Sequence, residues 1–430
     1  GTSDVGGQFM HCSKLTSFTA PYASSIPIWM FYGCVSLTSL SMDNAGTIGT
    51  NSFGQCTSLI TICLPSVKSI AAKLFNGGNN IVHIEFDSVL SIGDNAFQNC
   101  KSLETASFIN CTSVGKYAFD GCHKLETINM PKVKKMYGRA FSYTNLKKVE
   151  MNSLSVVQTE DYNYADHGAQ FEGCSALTHV TMRSLNYVQI EMFYNCHQLI
   201  YVDMPSLVYI YYRGFYLCDS LNNLTFPKLK SIGKSAFQNL NGLTEVNLPS
   251  VTSIGQSSFA SCPNLVSFSS ENCSFIDQYG FNNCAKLEHV YLPKLRELGA
   301  RAFSYTNFSS IELNSLVSCG TVDYNYADHG SQFQNCESLT NVTMKMMPYI
   351  QIEMFYSCSK LEYLDVPNVN TIYYMAFVGC HALSNLTLPS IKIINSYAFQ
   401  SVTGLYDVDL PSLTSIGKYA FESCPNLVSF

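Results

Sequence analysis

Phenylalanine recurs along this chain at a fixed 22-residue interval. Every step is equal except two longer ones, Phe141 to Phe171 and Phe303 to Phe333, and the nineteen positions are Phe9, Phe31, Phe53, Phe75, Phe97, Phe119, Phe141, Phe171, Phe193, Phe215, Phe237, Phe259, Phe281, Phe303, Phe333, Phe355, Phe377, Phe399 and Phe421. One such unit cannot bury its own apolar side, so repeated units must stack on one another. We therefore expect a single continuous repeat solenoid over residues 1–430, rather than the two or three globular domains that this length would otherwise predict.

Each unit carries a second set of fixed positions. Counting from its Phe, Cys stands at position 3, Leu at 6, Ile or Val at 9, Leu or Met at 11, Leu or Val at 14 and Ile or Val at 17. Positions 8 to 11 alternate polar and apolar residues, as in Asp407–Leu410, which predicts a half-buried strand. About nineteen coils with a strand spacing of about 4.8 Å predict a curved, right-handed stack on the order of 90 Å long, with a parallel sheet on its concave face. Too few residues remain for an outer helix, so short turns or 3₁₀ segments are expected there.

A longer period lies above the first. The sequence RAFSYTN at 139–145 returns at 301–307, so seven coils form a 162-residue super-repeat, and its 30-residue units carry inserts near 158–170 and 320–332. The stretch GTSDVGGQF at 1–9 aligns with 163–171, so the chain starts inside a third copy, and it ends within a repeat. We expect caps and an anchor outside residues 1–430. Open coil ends also predict end-to-end self-association of the chain.

The unit C..L..I.LP.V..IG..AF resembles the BspA-like, treponemal-type leucine-rich repeat, for example from Cys122 and Leu125 through Met130-Pro131. The resemblance covers nearly the whole chain, although the common family unit is one residue longer near the proline. It implies a non-enzymatic protein that is secreted or displayed on the surface of a host-associated bacterium or parasitic protist and adheres to host proteins and cells.

Charge and motifs exclude several classes of function. The net charge is −6 with only 25 Lys and Arg, so no basic field would attract nucleic acid or anionic lipid. No apolar run approaches the ~18–20 residues that span a bilayer. The sequence contains no GxSxG, HExxH, P-loop or CxxC pattern, so we predict no enzyme, cofactor, metal ligand or catalytic residue.

The 18 cysteines follow the repeat. Fourteen occupy position 3, which predicts a ladder of buried structural thiols rather than disulfides or a metal site. Cys63 falls at an outward strand position and is the better candidate for a reactive thiol. The pairs Cys122-His123, Cys196-His197 and Cys380-His381 should point apart, so they predict no catalytic dyad.

Positions 8 and 10 should point outward from the stacked strands. They are mostly Ser, Thr, Asn and His with scattered acids, and Tyr201, Asp203, Tyr363 and Asp365 repeat at the interval of the super-repeat. Such a surface suits a basic protein segment or a glycan. The alternative is that these are solvated strand residues, since polar alternation is what a half-exposed sheet requires.

The octapeptide DYNYADHG fills both inserts, at 161–168 and at 323–330. Loops on rigid scaffolds are where recognition residues concentrate, and Tyr supplies contact area at small entropic cost. We therefore predict two equivalent contact points, composed of Tyr162, Tyr164, Asp166 and His167, and of Tyr324, Tyr326, Asp328 and His329. The alternative is a duplicated structural loop. Calcium binding is a weaker interpretation, because the loop lacks the ligand spacing of a calcium hand.

These observations favour an extracellular or surface-displayed adhesion protein that binds host or neighbouring-cell proteins or glycans. The alternative is an intracellular protein–protein interaction scaffold, for which the ladder of free thiols is the argument.

Overall fold

The structure is a computed structural model that describes residues 6–75, 80–158, 168–324 and 327–430. Two compact units divide the chain: Gly1–Leu207 with Arg213–Ser220, and Val208–Tyr212 with Leu221–Phe430. Strands and turns account for the regular structure, and none of the described residues lies in a helix. The prediction of one unbroken stack over residues 1–430 stays a prediction.

Two columns of short strands run through the first unit. Its first column contains β1 Ser17–Thr19, β3 Ser39–Ser41, β5 Thr61–Cys63, β7 His83–Glu85, β9 Thr105–Ser107, β11 Thr127–Asn129, β13 Lys148–Glu150, β15 His179–Thr181 and β17 Tyr201–Asp203. Its second column contains β2 Ser25–Ile26, β4 Thr47–Ile48, β6 Ser69–Ile70, β8 Ser91–Ile92, β10 Ser113–Val114, β12 Lys135–Tyr137, β14 Val156–Gln158 and β16 Tyr187–Val188.

The second unit repeats this arrangement. Its first column contains β20 Glu245–Asn247, β22 Ser267–Ser269, β24 His289–Tyr291, β26 Ser310–Glu312, β30 Asn341–Thr343, β32 Tyr363–Asp365, β34 Asn385–Thr387 and β36 Asp407–Asp409. Its second column contains β18 Tyr209–Ile210, β19 Ser231–Ile232, β21 Ser253–Ile254, β23 Phe275–Ile276, β25 Glu297–Leu298, β27 Ser318–Cys319, β31 Tyr349–Ile350, β33 Thr371–Ile372, β35 Ile393–Ile394 and β37 Ser415–Ile416. A hairpin of β28 Val322–Tyr324 and β29 Ala327–His329 leaves the columns.

Parallel pairing within the columns confirms the predicted solenoid of stacked strands. Leu40 of β3, for example, pairs with Phe18 on one side and Ile62 on the other, which is a shift of one repeat in each direction. The central residue of a first-column strand points inward and its two neighbours point outward, as in β13. Seventeen coils of the described chain carry a first-column strand, against nineteen Phe positions. The difference arises because residues 222–226 form no strand and the last coil contributes only an isolated bridge, Asp407 to Ser429.

The second column was not predicted as strand. Its apolar position 17 was identified as core, and Ile48, Ile70 and Ile92 are indeed buried there. Two residues are too few to show a period of two, so the sequence pattern could not distinguish this column from a turn.

Turns form the outer side of each coil, as predicted. Residues two before and two after the anchor Phe adopt positive φ, for example Asn51 at 55° and Gln55 at 58°. Backbone N–H groups then bond the next coil, as from Phe53 to the carbonyl oxygen of Leu74, 3.1 Å. The Gly of the G..AF motif permits this close stacking: a Cβ at Gly299 would lie 2.2 Å from the nitrogen of Gln278.

A stack of phenylalanine rings fills the interior. Phe119 and Phe141 lie 5.0 Å apart with an interplanar angle of 4°. Phe141 and Phe171, which flank the first 30-residue unit, stack equally well at 5.6 Å and 4°. The stack of rings therefore continues without interruption across this 30-residue unit.

Candidate ligand-binding surfaces

The first candidate surface is the outward side of β13, β15 and β17 in the first unit. Tyr201 of β17 is 52% exposed, and its ring lies 5.8 Å from the ring of His179 on β15. Beside it, Asp203 accepts a hydrogen bond from Arg183 Nε at 2.7 Å, and on β13 the Lys148 ammonium lies 2.5 Å from the Glu150 carboxylate. The acids on this surface are thus paired with bases of the same surface. The sequence pattern identified Tyr201 and Asp203 but missed Arg183, which lies outside the strand positions.

The second candidate surface is the corresponding side of β26, β30 and β32 in the second unit. Ser310, Asn341 and Tyr363 form one row across the three strands, and Glu312, Thr343 and Asp365 form the other. Tyr363 is 56% exposed and Asp365 is half-buried. Tyr363 and Asp365 therefore lie at the predicted outward positions, as the first and last residues of β32.

A groove of about 960 Å³ lies on the same face of the second unit. It forms where residues 222–226 do not continue the first column, so that β20 begins a new three-stranded sheet. Thr225 Oγ1 donates to Asn223 Oδ1 at 2.9 Å inside it. The exposed polar lining comprises Asn222, Asn223, Thr225, Thr244, Glu245 and Asn247. The sequence-based prediction missed this groove, because residues 222–226 follow a Cys218 and a Leu221 that fit the repeat.

The second insert is a β-hairpin. Val322 pairs with His329 and Tyr324 with Ala327 in antiparallel register, so Tyr324 and Asp328 lie on its two strands. Residues 159–167, which include Tyr162, Tyr164, Asp166 and His167, and residues 325–326, which include Tyr326, lie outside the described residues. The prediction of two equivalent contact points at the inserts therefore stays a prediction.

Side chains from the next coil hold the base of this hairpin. His329 Nδ1 lies 2.7 Å from Glu353 Oε2, and the same oxygen accepts from Ser331 Oγ at 2.8 Å. Tyr349 Oη accepts from the Cys319 amide at 3.1 Å, while Gln351 Nε2 donates to the Cys319 carbonyl at 3.1 Å. These bonds tie the start and the end of the insert to the solenoid.

The same tyrosine clasp exists in the first unit. Tyr187 Oη accepts from the Val157 amide at 3.1 Å and donates to the Val157 carbonyl at 2.8 Å. Tyr187 and Tyr349 occupy equivalent positions of the super-repeat, within the otherwise diverged stretches RSLNYV and KMMPYI. The strand before each insert is thus fixed by the one aromatic residue that both stretches share.

The thiol ladder is confirmed as structural. All 18 cysteines are free, and most are buried. The position-3 thiol donates to the carbonyl oxygen of the anchor Phe one coil back, as from Cys284 to Phe259 at 3.0 Å. Burial raises the pKa of the Cys56 thiol to about 12 and that of Cys111 to about 11, so these groups stay protonated and unreactive. Cys319 is buried as well, whereas Cys63 is exposed on β5 as predicted.

The adjacent histidines point away from these thiols. His197 Nδ1 lies 2.7 Å from Asp219 Oδ2 and His123 Nδ1 lies 3.0 Å from the Tyr143 carbonyl oxygen, while Cys122 Sγ donates to Phe97 at 3.0 Å. No Cys–His dyad forms at these pairs. Within the part of the chain that the structure describes, no group of three His, Cys, Asp or Glu side chains is arranged to hold a metal ion, and no helix long and apolar enough to cross a membrane is found.

Parallel strands stacked at a 22-residue repeat over ladders of Phe, Leu and Ile define a leucine-rich-repeat solenoid. The model of the BspA-type leucine-rich-repeat region matches in six copies, over residues 6–104, 91–218, 208–326 and 329–430. The chain therefore belongs to the BspA-type leucine-rich-repeat family. No curated protein matches it.

Solved structures that this chain is similar to include two bacterial leucine-rich-repeat proteins. A leucine-rich-repeat protein from Bacteroides ovatus is 22% identical with a TM-score of 0.51, and the match covers 96% of this chain and 85% of that one. A leucine-rich cell surface protein from Faecalibacterium prausnitzii is 19% identical with a TM-score of 0.28, covering 92% of this chain and 79% of that one. At 22% identity, the likeness to the Bacteroides ovatus protein shows the fold alone.

Proposed function

We propose that this protein is a non-enzymatic adhesion protein, secreted or displayed at the cell surface, that binds host or neighbouring-cell proteins or glycans. The observation that carries the proposal is the pairing of an exposed Tyr with an adjacent Asp on a rigid sheet, at Tyr201 and Asp203 and again at Tyr363 and Asp365. Aromatic residues that stand exposed on a rigid surface are favoured recognition residues, because little side-chain entropy is lost on binding. Leucine-rich-repeat proteins are suited to protein–protein interaction, which supports the same interpretation.

The test is a binding screen of the 430-residue chain against immobilised matrix proteins and a glycan array. We expect at least one ligand whose binding weakens about tenfold or more when Tyr201 and Tyr363 are replaced by Ser, since truncating a buried interface aromatic commonly costs this much. The matched control replaces Tyr22, which is 90% exposed but lies outside the strand columns. A screen without any saturable ligand, or a ligand equally sensitive to both changes, would contradict the proposal.

The insert tyrosines are tested separately. Replacing Tyr162, Tyr164, Tyr324 and Tyr326 by Ser should weaken binding of the same ligand without lowering the melting temperature. A lower melting temperature with unchanged affinity would assign the inserts a structural role.

An intracellular interaction scaffold is the second candidate, and the eighteen free thiols favour it because reducing compartments keep thiols unpaired. Surface labelling of intact source cells with an antibody against the chain separates the two. Staining without permeabilisation supports the adhesion protein, and staining only after permeabilisation supports the scaffold.

A further inference from the structure

The 162-residue duplication produces two equivalent surfaces that differ in net charge. The first-copy face comprises outward residues of β13, β15 and β17 and residues that flank these strands or the neighbouring β11: Glu126, Lys147, Lys148, Glu150, His179, Arg183, Ile200 and Asp203. The second-copy face comprises the equivalent residues of the next super-repeat: Glu288, Ser309, Ser310, Glu312, Asn341, Lys345, Glu362 and Asp365. Three Lys or Arg oppose three acids on the first-copy face, for a net charge of zero, whereas one Lys opposes four acids on the second, for a net charge of −3.

The ion pairs explain why this difference matters. Each acid of the first-copy face has a base against it: Lys147 with Glu126 at 2.6 Å, Lys148 with Glu150 at 2.5 Å, and Arg183 with Asp203 at 2.7 Å. An external cation would have to displace these internal partners.

The second-copy face lacks those partners. Lys147 and Lys148 are replaced by Ser309 and Ser310, and Ile200 is replaced by Glu362, which adds a further carboxylate. Among the described residues, no base lies within ion-pair distance of the four acids of this face, Glu288, Glu312, Glu362 and Asp365. Glu312 instead accepts a hydrogen bond from the neutral Asn314 amide.

Arg183 is replaced by Lys345, and Lys345 does not take its place in the ion pair with Asp365 within the described part of the chain. The half-buried Asp365 carboxylate stands beside the exposed ring of Tyr363. A carboxylate next to an open aromatic face binds a guanidinium or ammonium group by an ion pair and a cation–π contact together.

We propose, on the basis of the function proposed above, that the second-copy face binds an extended protein segment carrying Lys or Arg. Glu312 and Asp365 stand two strand spacings apart, about 10 Å, and alternate side chains of an extended peptide repeat at about 7 Å. Long basic side chains two or three residues apart therefore reach both carboxylates. Strand β30 lies between these two carboxylates, and the Thr343 hydroxyl and the Asn341 amide on it supply neutral contacts for the peptide backbone. The first-copy face does not bind such a segment, because its acids are already neutralised.

The probe is a fluorescent nine-residue peptide in which Lys and Ser alternate, titrated with the 430-residue chain and followed by fluorescence anisotropy. A peptide with Glu in place of Lys controls for charge. We expect saturable binding of the Lys peptide with one site per chain, weakened about tenfold between 50 and 300 mM salt because the contacts are exposed ion pairs. Equal binding of the two peptides would overturn the proposal.

The decisive variant grafts the first-copy bases onto the second-copy face: Ser310→Lys, Asn341→His and Lys345→Arg together. These residues are exposed and already occur at equivalent positions of the same fold, so we expect an unchanged melting temperature and at least tenfold weaker peptide binding. Glu104→Gln, an exposed acid elsewhere in the first unit, is the matched control and should leave the dissociation constant unchanged. A graft that keeps wild-type affinity would overturn the proposal.

This result is separable from a failure of the adhesion function. If the screen yields a ligand that neither competes with the Lys peptide nor responds to the graft, the basic-segment site is wrong and the adhesion function stands. If the screen yields no ligand, the adhesion function fails, whatever the peptide does.

Discussion

The Cys284 thiol donates a hydrogen bond to the carbonyl oxygen of Phe259, 3.0 Å away and 25 residues earlier in the chain. The same bond recurs from coil to coil, for example from Cys262 to Phe237 and from Cys358 to Phe333. The position-3 cysteine therefore supplies a weak donor to a buried carbonyl group as well as a small apolar volume.

Replacing Cys284 by Ala should lower the stability of the second unit. We expect a loss of about 1–2 kcal/mol from the missing hydrogen bond and the small void, measured as a shift of the urea unfolding midpoint. Cys63→Ala is the matched control, since Cys63 is exposed on β5 and should leave the midpoint unchanged. Equal midpoints for the two variants would contradict a structural role for the ladder.

Two cysteines of the folded protein should react with an alkylating reagent faster than the rest. Cys12 and Cys63 are exposed, whereas burial keeps the Cys111 and Cys174 thiols protonated by raising the pKa of each to about 11. Brief treatment with iodoacetamide at pH 8 followed by peptide mass spectrometry should find label at Cys12 and Cys63. Label at Cys174 before unfolding would show that the coils open to solvent.

Stability should fall steeply at alkaline pH. The pKa of a cysteine thiol is 9.0 in the unfolded chain, and burial raises the pKa of Cys174 to about 11 and that of Cys56 to about 12 in the fold. Above pH 9 the unfolded state loses these protons while the folded state keeps them, so each such thiol removes about 1.4 kcal/mol per pH unit until its folded pKa is reached. Urea midpoints at pH 8, 9 and 10 should therefore fall a little in the first interval and more steeply in the second, and a flat series would refute the burial of the ladder.

Removing the tyrosine clasp should loosen the hairpin and little else. Tyr349→Phe deletes the bonds of Tyr349 Oη to both backbone groups of Cys319. We expect amides of β28 and β29 to exchange with deuterium about tenfold faster, while amides of β32 keep their rates. Tyr187→Phe, which removes the equivalent clasp at Val157, should leave β28 and β29 unchanged and so serves as the control.

Much of the fold could be predicted because the repeat fixes it. The regular interval of Phe53, Phe75 and Phe97 specifies stacking, and the alternation in Asp407–Leu410 specifies the strand and its outward positions. The second column could not be predicted as strand, because strands as short as Ser69–Ile70 show no hydrophobic period. Contacts between side chains of different coils, such as Arg183 with Asp203, also escaped, because they depend on rotamers and neighbours that a single repeat does not encode.

In the described part of the chain, thirty-two residues other than glycine hold positive φ, mostly in pairs that flank the anchor phenylalanines. For an L-residue this conformation costs about 1–2 kcal/mol, and in a lone coil nothing would offset the cost. Each ordered coil offers the next a row of carbonyl groups on which its turns can form, as Leu74 does for Phe53. Each formed coil can therefore act as a template for the next, and we expect order to spread by addition of coils to a formed neighbour. We therefore expect the chain to fold by growth from a nucleus of a few coils rather than by collapse of the whole chain at once.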